Sequence, residues 1–123
     1  MNKILIIDDD HKNIFALTAT LRSRGYTTVS AQSAQEGLDL LETSSGIRIV
    51  LLDMMMPGVD GYETLKRIRG NEAFLNLPVI SVTAQAMPGD REKCIAAGAD
   101  DYVSKPVDID RLSKLLNQYL NPS

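Results

Sequence analysis

The sequence predicts an α/β domain, a doubly wound sheet of five parallel strands with helices on both faces. Three observations predict it. Short apolar runs alternate with stretches of helical periodicity along the whole chain. The runs are apolar at nearly every position instead of every second one, as strands buried on both faces are. No repeat, low-complexity tract or linker breaks the series, so residues 1–123 read as one domain. Crossovers between parallel strands are right-handed, so the helices must cover both sides of the sheet.

Each element has its own signal. Lys3 to Ile7 is β-branched and apolar, a buried first strand. His11 to Arg24 carries Ile14, Leu17 and Leu21 on one helical face and is stopped by Gly25. Thr27 to Ala31 is a second strand, and Ser33 with Glu36 forms a capping box for a helix bearing Ala34, Leu38 and Leu41. Ile49 to Leu52 is the third strand. Asp60 and Glu63 predict a second capping box, opening a helix with Leu65 and Ile68. Pro78 to Val82 is the fourth strand, and a helix led by Pro88 runs to Gly98. Tyr102 and Val103 mark a short fifth strand. Asp108 caps a last helix whose Ile109, Leu112, Leu116 and Tyr119 face the core.

Composition narrows the function classes. The chain is 44% hydrophobic and 24% charged, an ordinary globular balance. A formal net charge of −3 provides no global basic field for nucleic acid or anionic membrane. No apolar run approaches the roughly 20 residues of a membrane span. The single Cys94 excludes an internal disulfide and fits a reducing cytoplasm; a small buried helix residue is its simplest reading. Met1-Asn2-Lys3 runs straight into the first strand, which argues against a signal peptide.

The chemistry concentrates at one rim. In open α/β sheets ligands sit beyond the carboxyl ends of the strands. Strand one ends at Asp8-Asp9-Asp10, strand three at Asp53, strand four at Thr83 and strand five near Lys105. Two carboxylates 4 Å apart repel by about 4 kcal/mol at an effective dielectric near 20. Such a gathering needs a cation or a neutral carboxyl, and oxygen ligands suit a hard divalent metal. Asp8, Asp9 and Asp53 supply those atoms, whereas Asp10 reads better as a helix cap. A hydroxyl at Thr83 and an ammonium at Lys105, converging on one carboxylate, would bind the oxygens of a phosphoryl group. Alone, Thr83 would be an ordinary strand end and Lys105 a surface lysine; topology brings them together. His11 reads as a polar surface residue of the first helix, and Met54 and Met56 as packing under the loop before Pro57.

The ordered motifs resemble the response-regulator receiver domain of two-component signalling. They are Ile6-Ile7-Asp8-Asp9, Asp53-Met54-Met55-Met56-Pro57-Gly58-Val59-Asp60-Gly61, Val82-Thr83-Ala84, and Gly98-Ala99-Asp100-Asp101-Tyr102-Val103-Ser104-Lys105-Pro106. The resemblance covers nearly the whole chain and implies a flavodoxin-like (βα)5 fold with strand order 2-1-3-4-5. By resemblance Asp53 is the phospho-accepting aspartate. Asp9 is implied as a direct ligand of Mg²⁺ (Mn²⁺ could substitute), Asp8 as the holder of metal-bound water, and Met55 as a ligand through its backbone carbonyl. Thr83 is implied as the switch hydroxyl, Lys105 as the phosphoryl-pairing lysine, Tyr102 as the switch aromatic, and Lys105-Pro106 as a cis peptide. The implied partners are a sensor histidine kinase or phosphotransfer protein and a downstream protein reading the face of helix four, strand five and helix five. Catalysis would be confined to the chain's own phosphorylation and dephosphorylation. The segment Met87 to Cys94, followed by Ala97-Gly98, resembles receivers attached to hybrid sensor kinases.

Two other classes compete. Asp8-Asp9-Asp10 contains the Asp-x-Asp of haloacid dehalogenase-type phosphohydrolases, with Asp8 as nucleophile and Asp10 as acid. That reading leaves Asp53 without a role and the chain without room for a cap domain. The other is a receiver-shaped interaction module that is never phosphorylated, against which the intact acid set, Thr83 and Lys105 argue.

Overall fold

The computed structural model describes residues 3–55, 61–83 and 89–120. Its elements are β1 (Lys3–Ile7), α1 (His11–Ser23), β2 (Thr27–Ala31), α2 (Ala34–Thr43), β3 (Ile47–Asp53), α3 (Gly61–Arg69), β4 (Val79–Thr83), α4 (Asp90–Ala96), β5 (Asp101–Ser104) and α5 (Ile109–Leu120). A 3-10 turn, Glu72–Phe74, follows α3. The five strands form one parallel sheet in the order β2-β1-β3-β4-β5. This is the doubly wound, flavodoxin-like order.

The period-two pleat divides the strand side chains between two cores. Leu5, Ile7, Val50, Leu52 and Val79 pack on one face with Leu41 of α2, Leu65 and Ile68 of α3, and Cys94 of α4. Ile4, Ile6, Ile49, Leu51, Ile80, Val82 and Val103 pack on the other with Leu17 and Leu21 of α1 and Leu112, Leu115 and Leu116 of α5. Full burial of one such side chain contributes about 1.5–3 kcal/mol. Strands that must feed both cores cannot alternate with polar residues, which is why the runs read as continuously apolar.

Local signals set the helix ends. Asp10 is the N-cap of α1, its carboxylate accepting from Lys12 N–H. Ser33 Oγ accepts from Glu36 N–H at 3.1 Å, but Glu36 Oε2 reaches the N–H of Gln32, one residue before the position a capping box predicts. Asp108 Oδ1 accepts from Asp110 and Arg111 N–H at the start of α5. Helix α4 begins later than the sequence predicts. Gly89 is its N-cap at φ +89°, a left-handed conformation that glycine adopts without strain. Pro88 and the Asp60 half of the second predicted capping box lie outside the described residues. β3 starts at Ile47, earlier than predicted, because Lys3 pairs with Ile47 across a register shift. Among the described residues, no helix is long and apolar enough to cross a membrane.

Candidate functional site

Asp8 follows β1 and Asp53 ends β3, and these strands are neighbours with Ile7 paired to Leu52. Both carboxylates are therefore carried to one rim and buried there, at 2% and 3% exposure. Each is oriented by its own chain in the same way. Asp8 Oδ1 accepts from Asp10 N–H at 2.9 Å, and Asp53 Oδ1 accepts from Met55 N–H at 2.9 Å. These Asx-type turns leave both Oδ2 atoms facing inward. Lys105 Nζ meets both, 3.3 Å from Asp53 Oδ2 and 3.6 Å from Asp8 Oδ2.

Asp9 completes the cluster from the exposed side. One carboxylate oxygen each of Asp8, Asp9 and Asp53 lie within 4.8 Å of one another, the one such group among the described residues. Burial pushes the Asp8 carboxyl above the ordinary aspartate range. The Asp10 N–H pulls it back, the neighbouring Asp53 pushes it further up, and Lys105 opposes that. Three carboxylates against one ammonium leave negative charge in surplus at a partly buried site. An all-oxygen donor set with that surplus fits a hard divalent cation such as Mg²⁺.

The backbone fixes Lys105 to the fourth strand. Its N–H donates to Thr83 O at 2.7 Å, so the residue bearing the hydroxyl also anchors the residue bearing the ammonium. Thr83 is buried at 6% exposure, one position beyond Val82, which pairs with Asp53. The Lys105–Pro106 peptide is cis. Tyr102 lies on edge strand β5, half-buried and outside the acid cluster. Met54 is buried and Met55 is 62% exposed, while Met56, Pro57, Ala84 and Gln85 lie outside the described residues. Beside Asp8 and Lys105 a groove of about 270 Å³ opens, lined by Asn13, Ala16, Leu17, Thr20, Val107 and Ile109.

Asp10 takes the helix-cap role that its position predicts. Its carboxylate is spent on capping α1, and its N–H positions Asp8. His11 is exposed, with Nδ1 2.9 Å from Gln32 Nε2. One supporting residue escaped notice in the sequence. A Cβ on Gly61 would lie 2.7 Å from the Met54 Cα and 2.8 Å from its sulfur, so only glycine lets α3 abut the turn after Asp53. Its signal was present in the Val59-Asp60-Gly61 motif, but a close approach leaves no mark that distinguishes it from a turn glycine.

Comparison with known proteins agrees with this geometry. A family model described as "Response regulator receiver domain" matches residues 4–117. The chain belongs to that family. It is 32% identical over 117 residues to the polar-differentiation response regulator DivK of Brucella ovis, covering 95% of this chain and 94% of DivK. It is 33% identical over 124 residues to hybrid signal transduction histidine kinase L of Dictyostelium discoideum, covering 97% of this chain and 7% of the kinase. Among solved structures, the receiver domain of Francisella response regulator 1452 superposes with a TM-score of 0.84 at 32% identity, covering 94% of this chain and 93% of that one. This chain is thus a receiver domain of two-component signalling, a family whose members interact with histidine kinases or phosphotransfer proteins and with downstream targets.

Proposed function

We propose that this receiver takes a phosphoryl group onto Asp53 from a phosphohistidine, or from a small phosphodonor. The observation that carries the reading is the convergence of Asp8, Asp9, Asp53 and Lys105 at one rim, with Lys105 Nζ 3.3 Å from Asp53 Oδ2. An Asp53 oxygen attacks phosphorus, an O–P bond forms, and the P–N bond to the donor imidazole breaks with its electron pair going to the leaving nitrogen. The turn that binds Asp53 Oδ1 to Met55 N–H holds the nucleophile in one orientation. Asp8, Asp9, Asp53 and the Met55 carbonyl would hold Mg²⁺, with Mn²⁺ able to substitute. When bound, the metal offsets negative charge on the phosphoryl oxygens. Lys105 then pairs with a phosphoryl oxygen, and Thr83 donates its hydroxyl to another. Hydrolysis reverses the state when water attacks the same phosphorus and the Asp53 O–P bond breaks.

In this reading Tyr102 follows Thr83 and changes the surface of α4, β5 and α5, where a downstream protein reads the state. The phosphodonor protein covers the opposite flank of the rim. Phe15 of α1 is 78% exposed, an apolar side chain lining a separate shallow groove with His11, Ile14, Thr18 and Ser30. The reading includes a cytoplasmic setting, in keeping with the buried free thiol of Cys94.

The test is incubation with acetyl phosphate and Mg²⁺, read by intact mass and hydroxylamine lability. One labile phosphoryl group is expected on wild type and none on Asp53→Asn. Release of inorganic phosphate dependent on Asp8 but not Asp53 would instead indicate a phosphohydrolase, and no modification at all an interaction module. A parallel thermal titration reads the metal. A ligand at 100 times its Kd stabilises by about 2.7 kcal/mol, so Mg²⁺ should raise the melting temperature of wild type. Asp9→Ala should lose that shift, and an unchanged metal response in this variant would sink the assignment of Asp9.

A further inference from the structure

The outer edge of β5 is closed by side chains. Among the described residues β5 pairs only with β4, and an edge strand presents unpaired N–H and C=O groups that invite another strand. On either side of Tyr102 the backbone bonds inward: Asp100 N–H donates to Val79 O at 2.8 Å and Lys105 N–H to Thr83 O at 2.7 Å. The main-chain groups of Tyr102 itself are satisfied otherwise. Its N–H donates to Asp101 Oδ1 at 2.9 Å, and its carbonyl accepts from Arg111 Nη2 at 3.0 Å. The guanidinium also lies 3.8 Å from Asp101 Oδ1, which closes a ring of three contacts around the main chain of one residue. Arg111 is itself fixed in the first turn of α5, where its N–H donates to Asp108 Oδ1 at 3.3 Å.

We infer that Asp101 and Arg111 are positioning residues for Tyr102. Together they supply the two hydrogen bonds that a sixth strand would make, so α5 holds the main chain of β5 at this residue. A carboxylate accepts and a guanidinium donates, and the strand edge needs one of each at this point. The cap shuts the edge against strand addition and makes the placement of Tyr102 depend on α5. The inference rests on the proposed function only where Tyr102 is given a switching role; the cap belongs to the resting chain.

The experiment uses the full chain without any phosphodonor, so its outcome is independent of phosphate acceptance. Amide exchange and the carbonyl ¹³C shift are measured at Tyr102 by NMR, with Val103, paired to Val82 inside the sheet, as control. Asp101→Ala should speed exchange at Tyr102 by about tenfold or more relative to Val103, as a locally opened amide does. Arg111→Met should move the Tyr102 carbonyl resonance upfield, and Arg111→Lys, which keeps a donor, should restore part of that shift. The exchanged pair Asp101→Arg with Arg111→Asp keeps the ion pair but offers no acceptor to the Tyr102 N–H, and it should restore nothing. Three results would overturn the inference: wild-type exchange at Tyr102 in the exchanged pair, equal acceleration at Tyr102 and Val103, or no change at Tyr102 in either single variant.

Discussion

At the N-terminal end of the sheet, the guanidinium of Arg69 is surrounded by acceptors. Nε donates to Gly98 O at 2.9 Å, Nη1 to Phe74 O at 2.9 Å and Leu77 O at 2.6 Å, and Nη2 to Asp100 Oδ2 at 2.8 Å. Asp100 Oδ2 accepts in turn from Val79 N–H at 2.8 Å, which ties the start of β4 into the same network. Gly98, at φ +117°, is part of the fit, since a Cβ there would stand 2.9 Å from the Arg69 Cγ. At the C-terminal end, by contrast, two buried carboxylates share one lysine. Both ends bring charge out of bulk water, but only the Arg69 end provides it with nearly a full set of partners. A charge with four of its five donors used stabilises the fold and has little left to offer a ligand. Charges left short of partners cost stability and keep capacity for a cation or a phosphoryl group.

The contrast can be broken first at its satisfied end. Arg69→Met should destabilise the chain by about 3 kcal/mol, because it removes the guanidinium's hydrogen bonds to three carbonyls and its ion pair with Asp100. Urea denaturation measures the loss, and phosphate uptake by the folded fraction should be unchanged. A loss below about 1 kcal/mol, the level of a single ordinary hydrogen bond, would show that Arg69 is no hub.

At the other end, Lys105→Arg keeps the charge but exchanges a compact ammonium for a planar fork. It should slow phosphorylation from acetyl phosphate by about tenfold, or roughly 1.4 kcal/mol in the barrier, without abolishing it. Rates equal to wild type would remove Lys105 from the pairing role.

A smaller effect sharpens the comparison by pH. The Asp8 carboxyl is raised in the folded chain, so the fold binds its proton more tightly than the unfolded chain does. Its contribution to stability is full below the unfolded value and is lost as pH rises through the folded one. Asp8→Asn should therefore be more stable than wild type at neutral pH in EDTA, by about 1 kcal/mol or about 4 °C in melting temperature. The gain should fade on acidification into the aspartate range, near pH 4. A gain that grows on acidification would contradict the burial-driven shift.

The smallest effect concerns how long the phosphate lasts. Met55 is 62% exposed, two positions after Asp53; in the proposed function a thioether there would shield phosphorus without orienting water. Met55→Asn should speed loss of phosphate by roughly two- to fivefold, less than a positioned general base provides. Gln85→Ala is the companion variant, although Gln85 lies outside the described residues. Equal decay in wild type and Met55→Asn would move control of the water path elsewhere.

Much of the fold was legible because burial on both faces writes itself as uninterrupted β-branched runs. Asp10, Ser33 and Asp108 announce their helices because a cap needs a side-chain acceptor at a fixed offset. The early start of β3 was hidden by exposed Arg48, which interrupts the apolar run. The late start of α4 was hidden because proline predicts a helix that Gly89 postpones. For the site, the strand ends told where Asp8, Asp53, Thr83 and Lys105 would gather. The turns that aim the two carboxylates were not legible, since their donors are backbone N–H groups of residues whose side chains are irrelevant. Arg69 and Arg111 were missed for the same reason. Their acceptors are mostly main-chain carbonyls, and a carbonyl has no letter in a sequence.

Gly61 carries a practical consequence for anyone diversifying this loop. In a saturation library scored for phosphate uptake, position 61 would rank with the reactive residues, although its hydrogen atom performs no chemistry. Any added carbon must displace the Met54 backbone, next in the chain to Asp53. A companion screen for folded protein would not rescue the distinction, because a shift of a few tenths of an ångström spoils aim well before it spoils stability. Alterations meant to retune the site are therefore better placed at exposed Met55 than at the small residue that supports it from behind.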